Sequence, residues 1–341
     1  MRGIPASVAN RIVVQLQRGL PLVERPYRII ADSLGVTERQ VLDTLSDLIE
    51  SGRARRIGGL FNSAHLGFMS TLCAASIPHD KLDAVGSRIG RQQRVTHAYA
   101  RVPYEFLQTP ERTDLPNLWF TLSVREQAFE AEFDSIGHCV APYPLCDLRS
   151  LGSYKIGVIL DPESGTAAAT GMRGPAPERP PAAPIDLGIE PDRSLIRILQ
   201  ESLPAGSTPF RELARRCDTD VEAVLARLEH WQHSGALRRI ALVLRHRRAG
   251  FRANAMCVWN IASNAVDRVG SELGALDAVT HCYARRSCPQ MPYTMYAMIH
   301  GQTWEQTRDV FSRMEFSLGL AGGRMLCSTY EYRKASPRYI D

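Results

Sequence analysis

The sequence contains one pattern twice, and this constrains the fold more than any other feature. Ser51-Gly52-Arg53-Ala54-Arg55-Arg56-Ile57 returns as Ser234-Gly235-Ala236-Leu237-Arg238-Arg239-Ile240, and Gly67-Phe68 returns as Gly250-Phe251. Val95-Thr96-His97-Ala98-Tyr99-Ala100-Arg101 returns as Val279-Thr280-His281-Cys282-Tyr283-Ala284-Arg285. The three matches keep their order and are displaced by just over half of the 341 residues. A repeat that long means two homologous multi-domain halves and excludes a solenoid. Between them, Asp161 to Pro191 holds Pro162, Pro175, Pro177, Pro180, Pro181, Pro184 and Pro191 amid Ala, Gly and Thr. Such a stretch buries too little apolar surface to order itself and reads as a linker. The halves are therefore expected to pack side by side as an internal pseudo-dimer, with further homodimerisation open.

Each half begins with helices. Val8, Ile12 and Leu16 form one apolar stripe, Pro26 to Leu34 suits a second helix closed by Gly35, and Thr37 with Gln40 makes a capping box for a third. The third helix sets Val41, Leu45, Leu48 and Ile49 on its apolar face and stops at Gly52. In the second copy Asp192 opens a helix, Pro209 to Arg216 forms the next, and Thr219 with Glu222 caps the third. That helix buries Val221, Val224, Leu225 and Leu228 and ends at Gly235. Three short helices and an Arg-Arg-Ile strand predict a winged helix-turn-helix.

The rest of each half alternates strand and helix. The spacing predicts strands near Phe68–Ile77, Val95–Arg101, Asn117–Val124 and Ser153–Ile159, with helices over Asp80–Gly90 and Glu126–Gly137. The order βαββαβ is that of a ferredoxin-like α+β sandwich. The expected boundaries are 1–62 and 191–245 for the winged helix-turn-helix units, 63–160 and 246–341 for the βαββαβ domains, and 161–190 for the linker.

Composition narrows the function. No run of 18 apolar residues exists and the first residues lack a secretory h-region, so a cytoplasmic protein without a membrane segment is expected. Eight cysteines form no CxxC pair and read as reduced thiols; neither a zinc site nor any other metal site is expected. Of 41 basic residues only Lys81, Lys155 and Lys334 are lysines. The arginine excess follows from GC-rich coding or from a need for bidentate anion recognition. A net charge of +5 permits an acidic ligand without demanding nucleic acid. DNA reading is disfavoured, because the third helices carry Glu38, Asp43, Asp47 and Glu50, and Asp220, Glu222 and Glu229, where phosphates would lie.

The repeated strand carries the chemistry. Alternate residues share a face, so His97, Tyr99 and Arg101 point one way and Thr96, Ala98 and Ala100 the other. His281, Tyr283 and Arg285 repeat this arrangement. The small residues fit beneath helices, which leaves the His-Tyr-Arg face for a partner sheet or a ligand. An imidazole delivers a proton near neutral pH, and a guanidinium holds a carboxylate through two parallel bonds. The combination suits an acidic substrate that must be protonated. Arg245-His246-Arg247-Arg248 is the densest basic run, readable as a solvated wing or a carboxylate clamp. The other histidines, His300 among them, are scattered. Met291 to Met295 reads as core packing or as cover for a flat ligand.

A helix-turn-helix followed by βαββαβ resembles the Lrp/AsnC regulators. Arg-Arg-Ile, Gly-Phe and Val-Thr-His-x-Tyr-x-Arg, each present twice, resemble the siroheme decarboxylases within that group. Two unlike copies in one chain are most similar to the fused type of the heme d1 pathway. The resemblance implies a lyase that removes the C12 and C18 acetate carboxylates of siroheme, with no cofactor beyond the iron of the substrate. It implies that His97 and His281 are the family's histidines, and His281 or His97 is expected to supply the proton, with Tyr99 or Tyr283 orienting it. Siroheme bears eight carboxylates, and Arg55, Arg56, Arg101, Arg238, Arg239, Arg245, Arg247 and Arg285 are the residues expected to hold them. A transcription regulator and a non-catalytic tetrapyrrole carrier are the competing readings.

Overall fold

A computed structural model describes residues 4–163, 166–168, 185–246 and 248–340. The first half starts with helices α1 (Ala6–Arg18), α2 (Pro26–Leu34) and α3 (Glu38–Glu50) and strand β1 (Ala54–Phe61). Its sheet domain holds β2 (Phe68–Ala75), α4 (His79–Gly90), β3 (Val95–Pro103), β4 (Leu118–Arg125), α5 (Phe129–Val140), β5 (Leu145–Leu148) and β6 (Ser150–Ile156). A short ribbon, β7 (Ile159–Asp161) and β8 (Thr166–Ala168), follows. The second half repeats the order with α6 (Asp192–Glu201), α7 (Pro209–Arg216), α8 (Val221–Ser234) and β9 (Leu237–Leu244). It continues with β10 (Ala253–Trp259), α9 (Val266–Ala275), β11 (Val279–Arg285), β12 (Met295–Gly301), α10 (Trp304–Leu318) and β13 (Arg324–Lys334).

Local chemistry sets the helix ends. The Gln40 N–H donates to Thr37 Oγ1 at 3.2 Å and the Thr37 N–H to Gln40 Oε1 at 2.9 Å, so the capping box forms. In α8 the cap falls one residue later than expected, because Asp220 Oδ1 accepts the Ala223 N–H at 2.7 Å. Ile49 lies 43 % exposed, because the phase of α3 turns Val41, Thr44 and Leu48 inward instead. Gly35 and Gly235 close their helices at φ 67° and 81°, a left-handed conformation that favours glycine.

The two halves are interlocked. A unit the size of each helix-turn-helix has only a marginal core of its own. The strand after each, expected as its wing, finds its partner in the other copy: β1 runs antiparallel to β9, with Ile57 opposite Leu242. One hydrophobic cluster then includes Ile12, Leu16 and Val41 together with Leu195, Phe210 and Trp231. Of the linker, residues 164–165 and 169–184 lie outside the described residues. Its far end is docked, with the Ile185 N–H on His65 O and Leu187 in that shared cluster.

The sheets exchange strands as well. The order is β5-β2-β4-β3-β13-β10-β12-β11-β6. β13 starts beside β10 of its own copy and then pairs with β3, setting Lys334 opposite His97. Reciprocally, β5 pairs with β2 and its continuation β6 pairs with β11, setting Ile156 opposite His281. Only Arg149 separates β5 from β6. These two strands stand at opposite ends of the order, so the sheet closes on itself through one continuous segment. Helices cover the outside through two separate cores, and a third cluster with Trp119, Met256, Tyr296 and Leu326 fills part of the inside.

Each exchanged strand is pinned to a helix of the other copy. Tyr154 of β6 lies on Gly270 and Gly274 of α9 and donates its hydroxyl to Asp267 at 2.6 Å. Tyr332 of β13 lies on Gly86 and Gly90 of α4 and donates to Asp83 at 2.7 Å. A Cβ at Gly270 would stand 2.3 Å from the Tyr154 ring. Gly270→Ala is therefore expected to destabilise the protein by about 1–3 kcal/mol. Thermal unfolding followed by circular dichroism checks this, and Tyr154→Ala in the same chain should remove most of the Gly270→Ala penalty.

The cysteines correct an expectation. Cys146 of β5 and Cys288 of the segment before β12 form a disulfide between the copies, with Cα atoms 6.3 Å apart. The partners stand 142 residues apart in sequence, so no local spacing announces the pair.

Candidate active site

The closed sheet, the β1–β9 ribbon and the segments after β6 and β13 enclose one cavity of about 620 Å³. Gln17 and Gln200 hold those two segments in place. Gln17 Oε1 accepts the Leu160 N–H at 2.9 Å, and Gln200 Oε1 accepts the Tyr339 N–H at 2.9 Å. The His-Tyr-Arg face of both copies turns into this cavity, while Ala98, Ala100, Cys282 and Ala284 pack beneath the helices. His97 and His281 therefore belong to one chamber, not to two separate sites.

Among the described residues, its wall carries Arg55, Arg56, Arg101, Arg238, Arg239 and Arg285, the single lysine Lys334, four histidines and no carboxylate. Arg101, 5 % exposed, donates to Leu326 O at 3.3 Å and lies over the Tyr99 ring. Arg285 donates to Leu148 O at 2.8 Å and lies over the Tyr283 ring. Arg56 donates to Leu199 O at 2.9 Å. Carbonyls and ring faces hold these guanidinium groups in position without neutralising them. Burial draws Arg101 down to about 10, and burial with the neighbouring Arg55 charge draws Arg56 down to about 10.

The imidazoles respond to the same field. Burial first, then the charges of Lys334 and Arg55, pull His97 down to about 3. Burial first, then Arg238, Lys334 and Arg239, pull His281 down to about 4. Both rings are neutral in this state. His97 Nδ1 lies 3.0 Å from Thr96 Oγ1, and His281 Nδ1 lies 3.3 Å from Thr280 Oγ1. The Thr280 hydroxyl donates onward to Met298 O at 3.1 Å, so it accepts the Nδ1–H of His281 and leaves Nε2 for the cavity, whereas the Thr96 hydroxyl reaches Thr121 O only at 3.5 Å. The Tyr99 and Tyr283 rings stack beside the imidazoles with centroids 6.4 and 6.3 Å away. Burial pushes the Tyr283 phenol up.

Most of the residues singled out from sequence meet here, and two do not. Arg245 is exposed and stands outside the wall, although its charge reaches Arg55. Arg247 lies outside the described residues. Met291 and Met295 are fully buried in packing clusters. The wall also contains residues that the sequence pattern left scattered: His246, His300, Lys334, Asn254, Met256 and Met298. The Lys334 ammonium is bonded to His246 Nδ1, and His246 meets the His300 ring edge-on at 6.0 Å. Lysine's rarity was a usable signal, because Lys155, 3 % exposed, and Lys334 both sit on the exchanged strands. Among the described residues no group of three or more His, Cys, Asp or Glu side chains is arranged to hold a metal ion, and no helix is long and apolar enough to cross a membrane.

Comparison with known proteins gives the same picture in both copies. A family model described as the siroheme decarboxylase NirDL-like HTH domain matches residues 10–55 and 192–238. A model described as the AsnC-like ligand binding domain matches residues 65–155 and 248–333. A siroheme decarboxylase of Hydrogenobacter thermophilus is 32% identical over 341 residues, covering 97% of this chain and 94% of that one. A siroheme decarboxylase NirL subunit of Stutzerimonas stutzeri is 38% identical over 148 residues, covering 42% of this chain and 87% of the subunit. The crystal structure of the siroheme decarboxylase NirDL in co-complex with an iron-uroporphyrin III analogue superposes with a TM-score of 0.67 at 26% identity. That match covers 98% of this chain and 95% of the other. With both domain types matched twice and a relative aligned over nearly its whole length, the chain belongs to the siroheme decarboxylase family.

Proposed function

We propose that this chain is a carboxy-lyase that converts siroheme to 12,18-didecarboxysiroheme by removing the C12 and C18 acetate carboxylates, as a step of heme d1 biosynthesis. The observation that carries the reading is the cavity wall: six arginines, one lysine and four histidines without a carboxylate among the described residues. Positive charges gathered in that number, two of them on the buried Arg56 and Arg101, are costly unless a ligand neutralises them. An octacarboxylate macrocycle supplies counter-charge to such a wall. Met256, Met298, Trp119 and Tyr296 line the same chamber and offer apolar contact to a flat ring. The volume falls within the range of small-molecule sites.

Each decarboxylation consumes one proton. Protonation of the pyrrole-type ring turns it into an electron sink, the bond to the carboxylate breaks with its electron pair entering the ring, and carbon dioxide leaves. Transfer of a proton to the exocyclic carbon completes a methyl group, and loss of the proton first placed on the ring restores it, so that one proton is consumed in all. In this reading the bound polyanion raises the pKa of His97 and His281, Nε2 takes up the proton that is delivered, and Tyr99 and Tyr283 orient the two rings. Arg55, Arg56, Arg101, Arg238, Arg239 and Arg285 bind the carboxylates that stay. The iron arrives within the substrate, and the reaction calls for no other cofactor.

Anaerobic incubation of the purified protein with siroheme, followed by mass spectrometry, tests the proposal. The expected product is lighter by two carbon dioxide units. Bound pigment of unchanged mass would assign the chain to tetrapyrrole carriage, and DNA retarded by the protein with siroheme intact would assign it to regulation.

A further inference from the structure

On the basis of that reading, we propose that His300 is a positioning residue: it locks the Thr280 hydroxyl and thereby fixes the tautomer of His281, so that the two catalytic imidazoles are unequal. His300 stands on β12 opposite Asn254 on β10. Ser328 Oγ donates to Asn254 Oδ1 at 3.3 Å, which turns the amide nitrogen toward His300 Nε2 at 3.2 Å. His300 Nε2 is therefore an acceptor and its proton sits on Nδ1. That Nδ1 lies 3.3 Å from Thr280 Oγ1. The Thr280 hydroxyl spends its one proton on Met298 O at 3.1 Å, so it accepts from His300 and from His281 alike. His281 is thus held as the Nδ1–H tautomer, and only Nε2 exchanges protons with the cavity.

The first copy lacks this lock. Ser70 and Ser123 occupy the ladder positions of Asn254 and His300, and their hydroxyls bond each other at 2.9 Å. Thr96 reaches Thr121 O only at 3.5 Å, the limit of a hydrogen bond, and no second imidazole holds it. His97 instead has Lys334 opposite it on the neighbouring strand, where His281 has Ile156. His300 does not relay protons, because the Asn254 amide behind it has none to pass on. Burial and the neighbouring His246 and Lys334 also keep the ring uncharged.

Two readouts test the inference, one of them independent of turnover. With 15N-labelled histidine and no substrate, nitrogen chemical shifts of native protein are expected to give one tautomer for His281, assigned by its loss in His281→Ala. His300→Phe keeps the ring volume and should give a mixture of tautomers; His300→Gln can donate to Thr280 and accept from Asn254, and should restore one. With siroheme, His300→Phe should accumulate a product lighter by one carbon dioxide, its remaining step slowed up to about 100-fold with KM unchanged. Thr280→Val, which removes the shared hydroxyl at constant volume, should do the same. A single native tautomer and native product ratios in both His300→Phe and Thr280→Val would overturn the proposal. If native protein leaves siroheme intact, the functional reading fails, and the nitrogen shifts still decide the role of His300.

Discussion

Replacing His97 and His281 together with Ala is expected to lower decarboxylation of siroheme by about 10²–10⁴-fold, the span typical of a lost general acid. Both rings line one chamber. Arginine stays protonated at neutral pH and cannot give up a proton repeatedly, so in the proposed reading the six guanidinium groups of the wall do not replace the imidazoles. Binding should persist for the same reason: the affinity for iron-uroporphyrin, measured anaerobically by absorbance titration, should stay within about tenfold of native, since the arginine contacts remain. Each single variant should remove one carboxylate faster than the other and accumulate a product lighter by one carbon dioxide. Full double decarboxylation by the double variant at the native rate would take histidine at these positions out of the mechanism. The role would then pass to His246, another imidazole of the wall.

What the sequence disclosed and what it hid have separate physical causes. The face of β3 and of β11 was legible because strand periodicity alone decides it, and the small residues Ala98, Ala100 and Ala284 mark the side that meets helices. Thr37, Gly35 and Gly235 were legible because caps act over a few residues. The closure of the sheet was not. It depends on Arg149 dividing one strand between two copies, and nothing local marks that residue as the point where pairing changes partner. The site residues follow the same division. Arg55, Arg101 and their counterparts lie within the repeated motifs, whereas His300, Asn254 and Lys334 break the repeat and enter the chamber by long-range register. The glycine pairs Gly86 with Gly90 and Gly270 with Gly274 were a missed signal. Their fourfold spacing recurs in both copies where a tyrosine of the other copy lies on the helix.

The charge of the chamber leads to the second large effect, which is a pH dependence of binding. In the ligand-free protein His97 and His281 are held near 3 and 4, so both are neutral at pH 6–7. A polyanion among them adds negative charge and raises both values, and binding therefore takes up protons wherever the pH lies between the free and bound values. The sign follows directly: the complex holds more protons than the free protein, so affinity falls as pH rises, by up to about tenfold per pH unit for each proton taken up. With two imidazoles involved, iron-uroporphyrin is expected to lose up to about 100-fold in affinity per unit across the window above pH 4 that the bound values close. Calorimetry in buffers of different ionisation enthalpy counts the protons, and His97→Ala with His281→Ala should flatten the profile. The ligand-free protein should also lose stability as pH falls below the ordinary imidazole value of about 6.5, since the unfolded chain binds protons there and the folded one does not. Bound iron-uroporphyrin should cancel that loss. A proton count of zero on binding, with a flat profile between pH 5.5 and 7.5, would mean that the imidazoles stay neutral beside the carboxylates and cannot be the source of the protons that decarboxylation consumes.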